Sequence, residues 1–290
     1  MWIKHGQNYY NKLYLIVKAK NTFKKERVMI STLRKHSYLL KQLVKKDIKQ
    51  RYQGSILGML WSFIVPILML VIYTFVFSEV FQAKWDIDTS DKYQFALVLF
   101  CGLSAFNMVS EVMNRATTLI VSNTNYVKKV IFPLEILPVV IMFSALFNCV
   151  ISFSILIVAK IIIYKNISST LYLIFFAMIP LIVLSVGLGL FISAVSVYLK
   201  DVGNVISVLV TVLMYMSPVF FSLSSVPENF RGICEVNPMT YIIENFRNVV
   251  LYGESLNWKY WGISCVVALA IYLFGKVVFM RAKEGFADVL

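Results

Sequence analysis

Lys41, Lys45 and Lys49 stand at four-residue steps, beside a parallel apolar row of Leu40, Val44, Ile48 and Tyr52. At about 3.6 residues per turn, both rows run along one helix, each on its own face. Asp47 and Arg51 fall at i,i+4 in the order that favours an ion pair. Such a helix binds surfaces: it anchors on lipid headgroups, docks a partner protein, or does both. It performs no covalent chemistry, and the rest of the chain offers little more. There is no GxxxxGK[ST] phosphate loop, no paired-aspartate motif of a lipid-phosphate transferase and no His/Asp/Glu metal cluster. His5 and His36 both lie in the basic N-terminal segment without obvious partners. Cys101, Cys149, Cys234 and Cys265 lack metal or redox spacing and read as ordinary core residues. The sequence therefore predicts no catalytic residues, no metal and no cofactor bound by this chain.

Three further segments carry charge or aromatic character. In NRATTLIVSNTNYVKKVIFPLEILP, Ser122-Asn123-Thr124-Asn125 offers caps for a short helix. Pro133 and Pro138 bracket Glu135, which has Lys128, Lys129 and Arg115 as candidate partners. An acid at a membrane boundary is either a functional group or half of a headgroup-level ion pair. In NPMTYIIENFRNVVLYGES, Asn237 is a natural N-cap, Pro238 a natural first residue and Gly253 a natural stop. Met239, Ile242, Ile243, Phe246, Val249 and Val250 form its apolar stripe. At about 15 residues this helix spans roughly 22 Å, too short to cross a bilayer, so it lies on or dips into the outer leaflet. Lastly, Tyr73, Phe77 and Phe81 share one face, and Tyr215, Phe220 and Phe221 flank Pro218. These rings either line a passage that stacks sugars or form an interfacial aromatic belt. The channel reading takes Trp61, Tyr73, Phe77, Tyr215 and Phe220 as lining, with Phe246 and Glu135 as gate or ion-pair candidates.

The elements that must position these groups are membrane spans. The chain is 59% hydrophobic and only 15% charged. No charge falls between Arg51 and Glu79, a run long enough to cross the roughly 30 Å hydrocarbon core. Apolar windows predict six spans, near 57–80, 93–113, 136–159, 171–197, 203–223 and 259–279. The expected fold is an all-α membrane protein with an amphipathic interface helix and short outer re-entrant helices. Its parts are a basic extension over 1–32, the interface helix over 33–53 and a six-helix domain over 54–290, with the re-entrant region at about 219–252. Half of the 28 Lys and Arg lie before Gly54, which puts the N-terminus inside by the positive-inside rule. An even span count places both termini in the cytoplasm. The basic N-terminus adjoins a span and so reads as membrane-facing, not as a nucleic-acid arm. Ser185, Gly189 and Ser193 form a small-residue stripe suited to close helix packing. Few intramembrane acids argue against a proton-coupled carrier.

With these residues in view, the chain resembles the permease subunits of ABC-2 type polysaccharide exporters, which move O-antigen, capsule or teichoic acid glycans. LVKKDIKQRYQGSILGMLWSFIVPIL, NYVKKVIFPLEILP, NPMTYIIENFRNVVLYG and the closing GFADVL carry the likeness, in family order over about residues 37–290. The resemblance implies a homodimer in the bacterial inner membrane, bound to two copies of a separate ATP-binding subunit that holds ATP and Mg. It implies a polyprenyl-diphosphate-linked glycan as substrate. It assigns ATPase-subunit contacts to the interface helix and the loop after the second span: Lys45, Asp47, Lys49, Arg51, Asn125, Tyr126, Lys128 and Lys129. An ABC-2 permease for a drug or small lipid, or a cell-envelope membrane enzyme, are the alternatives. The first calls for few aromatic faces, the second for a catalytic cluster that the sequence lacks.

Overall fold

The computed structural model describes residues 35–82, 85, 93–128 and 132–290. The extension over 1–32, the first residues of the expected interface helix, the acids Asp86, Asp88 and Asp91, and Lys129 lie outside them. One compact unit ends at Lys45 and the other comprises Lys46–Leu290. The described residues are helical throughout their regular structure, as the apolar patterning predicts.

Helix α1 (Ser37–Tyr52) carries the lysine row, with Lys41, Lys45 and Lys49 exposed and no residue buried. The first span opens with a 3-10 turn (Gly58–Leu60), continues as α2 (Trp61–Tyr73) and ends in a π-helical turn (Thr74–Val80). The second span is α3 (Gln94–Ala116), followed by the short α4 (Thr124–Val127). Helices α5 (Ile136–Tyr164), α6 (Ile174–Tyr198) and α7 (Val202–Met216) come next. Two short helices follow, α8 (Glu228–Val236) and α9 (Pro238–Arg247), the second extended by a π turn over Asn248–Tyr252. The long α10 (Trp258–Ala282) and a terminal turn, α11 (Phe286–Val289), close the chain.

Among the described residues, five helices are long and apolar enough to cross a membrane: Gly58–Val80, Gln94–Ala116, Ile136–Tyr164, Leu171–Tyr198 and Trp258–Val289. Each overlies a predicted window. The sixth window differs. Helix α7 has 15 residues, about 22 Å, and ends at Ser217 instead of running on to residue 223. The cause is local: Pro218 crowds the backbone before it, and Ser217 adopts an extended conformation (φ −89°, ψ 149°). The second window also holds a charge that the reading of apolar windows passed over, Glu111, five residues from the end of α3.

Helix α3 is the buried axis of the bundle. It packs on α5, α6, α7 and α9, and 78% of its apolar window is enclosed, against 6% for the first span. The tightest pair is α6 with α10. A Cβ added at Gly187 would lie 2.6 Å from the Tyr272 Cα, and one added at Gly275 would strike the Gly187 carbonyl. The backbones touch because neither position has a side chain. The predicted stripe on α6 packs elsewhere, with Ser185 and Ser193 buried and Gly189 against Val112 of α3.

This crossing yields a direct test. Gly187→Leu or Gly275→Leu forces two backbones apart, at or beyond the upper end of the usual 1–3 kcal/mol overpacking penalty (about 3 kcal/mol). Thermal unfolding in detergent should show a large loss for both, and none for Gly262→Leu, where an added Cβ meets nothing within 4 Å.

Candidate functional site

At the α1 end of the bundle, four charged side chains interlock. Arg51 pairs with Glu111 through one guanidinium nitrogen and donates to its other carboxylate oxygen at 3.2 Å. Arg115 donates to Asp47 at 2.6 Å and lies 3.4 Å from Glu111. Asn148 of α5 donates to Glu111 at 3.2 Å and accepts from the Tyr52 hydroxyl at 3.3 Å. The C-terminal part of α1 is thereby tied to α3 and α5. Burial pulls the Arg51 pKa down, but the hydrogen bond and charge of Glu111 outweigh it, leaving the group above its ordinary value. The expected local i,i+4 partnership of Asp47 and Arg51 gives way to partners on α3, because Arg115 and Glu111 present the complementary pair one turn apart. A cleft of about 590 Å³ opens beside Asp47, Gln50, Arg51, Glu111 and Arg115. In it, Asp47 Oδ2 is buried without a hydrogen-bond partner among the described residues.

Lys45 and Lys49 on α1, Asn125 on α4 and Lys128 just after it are exposed. Tyr126 stacks on Phe132 at 4.4 Å. Asn123 does not cap α4 as expected; its amide turns back to the Leu119 carbonyl at 2.8 Å. Lys129 lies outside the described residues.

Glu135 has a different partner from those its sequence neighbours suggest. It is buried, and Lys283, just after α10, donates to it at 2.7 Å. The C-terminal GFADVL segment packs into the same region. Phe286 is fully buried against Phe279 and Tyr198, and the Tyr198 hydroxyl donates to the Ala282 carbonyl at 2.7 Å. Glu135 thus acts as the anchor of a C-terminal clasp.

At the other end sits the short-helix hairpin. Asn237 caps α9 as predicted, accepting from the Met239 amide at 2.9 Å, and Pro238 takes the first helical position. Its own amide group donates to Ser217 at 2.8 Å, which ties the start of α9 to the end of α7. The whole predicted stripe from Met239 to Val250 is buried. Gly253 ends the element at φ 73°, a conformation that suits glycine. The last carbonyls find donors from the end of α5 and the α5–α6 connection: Lys160 donates to Val250 at 2.9 Å and Thr170 to Val249 at 3.2 Å.

Arg247 is fully buried at the end of α9. It donates to the Val219 carbonyl at 3.1 Å and to Glu244 at 2.8 Å, and lies 4.4 Å from the Trp85 ring centre. Glycine at position 102 of α3 leaves it room, since a Cβ there would crowd the guanidinium at 3.1 Å. Phe246 is also fully buried, stacked on Phe153 at 4.7 Å. It is a core residue of the hairpin base.

The aromatic residues form two groups. Tyr73 neighbours Phe77 at 6.5 Å, Phe77 stacks on Phe95 at 5.0 Å, and Phe95 meets Trp85 at 5.5 Å, so a ladder of rings ends at Arg247. Tyr215 stacks on Phe220 at 5.6 Å. Within one chain these groups stay apart, because α2 packs on α3 and α5 whereas α7 packs on α3 and α6. Trp61, at the start of α2, donates to Ser55 at 2.9 Å.

Glu111, Lys160, Arg247 and Lys283 were not singled out from the sequence as site residues. Arg247 had a readable signal, four residues after Ile243 on the buried stripe. Lys283 had none, because 148 positions separate it from Glu135.

Residues 38–251 match the ABC-2 type transporter family model, from α1 through the short-helix hairpin. The chain belongs to that family. ABC-2 relatives include an O-antigen export system permease protein of Klebsiella pneumoniae, 25% identical over 87% of this chain and 95% of its own length. A Myxococcus xanthus protein of the same name is 26% identical over 90% and 98%. The polysialic acid transport protein KpsM of Escherichia coli is 26% identical over 80% and 89%. These relatives export polysaccharides. Within this ABC-2 chain, the family match thus covers both the charged network and the hairpin.

The network makes a measurable prediction. Arg51→Glu and Glu111→Arg each place like charges together and should lower the unfolding midpoint. The double swap should recover part of the loss, with a coupling of about 1 kcal/mol, because the groups are partly exposed.

Proposed function

We propose that this chain is the transmembrane subunit of an ATP-driven exporter that carries a lipid-linked polysaccharide across the bacterial cytoplasmic membrane. The observation that carries this reading is the near full-length match to export permeases for O-antigen and polysialic acid. On this reading ATP is hydrolysed by a separate subunit, two copies of which bind two copies of the present chain. The α1 end faces the cytoplasm, with both termini there, and the short-helix hairpin faces outside.

Two features of the molecule support the docking side. Lys45, Lys49, Asn125 and Lys128 are exposed, the Asp47–Arg115 and Arg51–Glu111 network is half-buried, and Asp47 Oδ2 is an open acceptor. Motion imposed on α1 is passed to α3 and α5 through paired charges, not through lipid. The weak burial of the first span supports the second copy. An apolar helix enclosed so little by its own chain has its face free for another chain, and so has the ladder Tyr73–Phe77. Tyr215, on exposed α7, and Phe220, just after it, come to the passage from that second copy, with Trp61 at its mouth. Rings suit a glycan because sugar C–H faces stack on them.

Co-expression with the partner ATPase and a lipid-linked glycan tests the reading. The chain purified alone should hydrolyse no ATP. The complex in vesicles should move labelled glycan only with ATP. Transport of a drug or small lipid, but no glycan, would contradict the proposal. Reversing Lys128 and Lys129 to Glu should weaken partner co-purification about tenfold while membrane insertion persists; unchanged co-purification removes that segment from the docking surface.

A further inference from the structure

Lys160 lies inside the last turns of α5, about 6 Å below its end at Tyr164 by helical rise. It is 8% exposed. Arg51, Arg115, Arg247 and Lys283 each meet a carboxylate. Lys160 meets none among the described residues. Its ammonium donates to the Ser168 hydroxyl and to the Val250 carbonyl, both uncharged. One N–H remains, with a full positive charge that burial makes costly to leave uncompensated.

A cavity of about 780 Å³ adjoins it, lined by Lys160, Asn166, Ser168 and Ser169 from the α5–α6 connection, Gln94 from the start of α3 and Gly253 after α9. Asn166 and Ser169 bring further donors. The volume falls in the roughly 300–1,000 Å³ range of small-ligand sites and is polar where the ammonium sits. Its depth is that of the phospholipid headgroups at the end of a span.

The geometry points to an anion site at Lys160 that takes a phosphate-bearing group, seated as the headgroup of an anionic phospholipid of the leaflet around α9. The bound phosphate supplies the charge that the described residues withhold. It also holds Lys160 on the Val250 carbonyl, so the lipid secures the end of the hairpin. This site is separate from the aromatic ladder.

The test uses the full chain in nanodiscs of equimolar phosphatidylglycerol and phosphatidylcholine, with native mass spectrometry of retained lipid. The wild type should retain phosphatidylglycerol several-fold above the bulk ratio. Asn166→Asp places a negative charge at the cavity without touching the Val250 contact and should bring retention to the bulk ratio. Lys160→Met should do the same, and Lys160→Arg should keep the enrichment. A second arm adds inorganic phosphate to phosphatidylcholine-only discs. A phosphate-dependent rise in unfolding temperature that N166D abolishes, without phosphatidylglycerol enrichment, supports the anion site and overturns the lipid as its source. Equal retention by wild type and N166D, with no phosphate effect, overturns the site altogether.

Discussion

A backbone that ends inside a bilayer must find its hydrogen-bond partners in protein, because hydrocarbon offers none. Helix α9 and its π turn are the place where this constraint bites hardest. The element is too short to cross, yet its apolar face is wholly buried. Both ends are therefore satisfied by other elements. Asn237 serves the start and links it to Ser217, and Lys160 and Thr170 serve the finish. Arg247 takes the Val219 carbonyl, which lies buried beyond the end of α7. The early end of α7, the curled α5–α6 connection and the glycine at position 102 all answer to the same need.

The opposite end is governed by charge. Glu111 sits at the centre of a network that reaches α1, α3 and α5. Helix α3 joins the two ends: Glu111 and Arg115 stand near its C-terminus, while Phe95 and Gly102 meet the Trp85–Arg247 pair near its start. Because α3 is enclosed by its neighbours, it moves as a packed unit and not as a free rod in lipid.

The sequence made local features legible. The caps of α9, its stop at Gly253 and its buried stripe depend on neighbours within a few residues, and all appear where the spacing puts them. The span positions follow from apolar runs of bilayer length, except where Pro218 ends α7 before its apolar run does. Partnerships across the fold were not legible. Glu135 reaches Lys283, and Asp47 reaches Arg115, because helices far apart in sequence end at the same level. The Gly187–Gly275 contact is hidden for the same reason: a glycine reveals tolerance for close approach but not what approaches. The separation of the two aromatic groups also depends on helix order around α3, which hydropathy does not encode.

The proposed function places the charged end of the chain in the cytoplasm and the hairpin end outside. Single cysteines in a background without the four native ones decide this most directly. Lys49→Cys lies on exposed α1 and Val236→Cys at the exposed end of α8. With a membrane-impermeant maleimide on intact cells, V236C should label while K49C labels only after the cytoplasmic membrane is opened. Labelling of K49C in intact cells, with V236C protected until permeabilisation, would reverse the orientation and contradict the account.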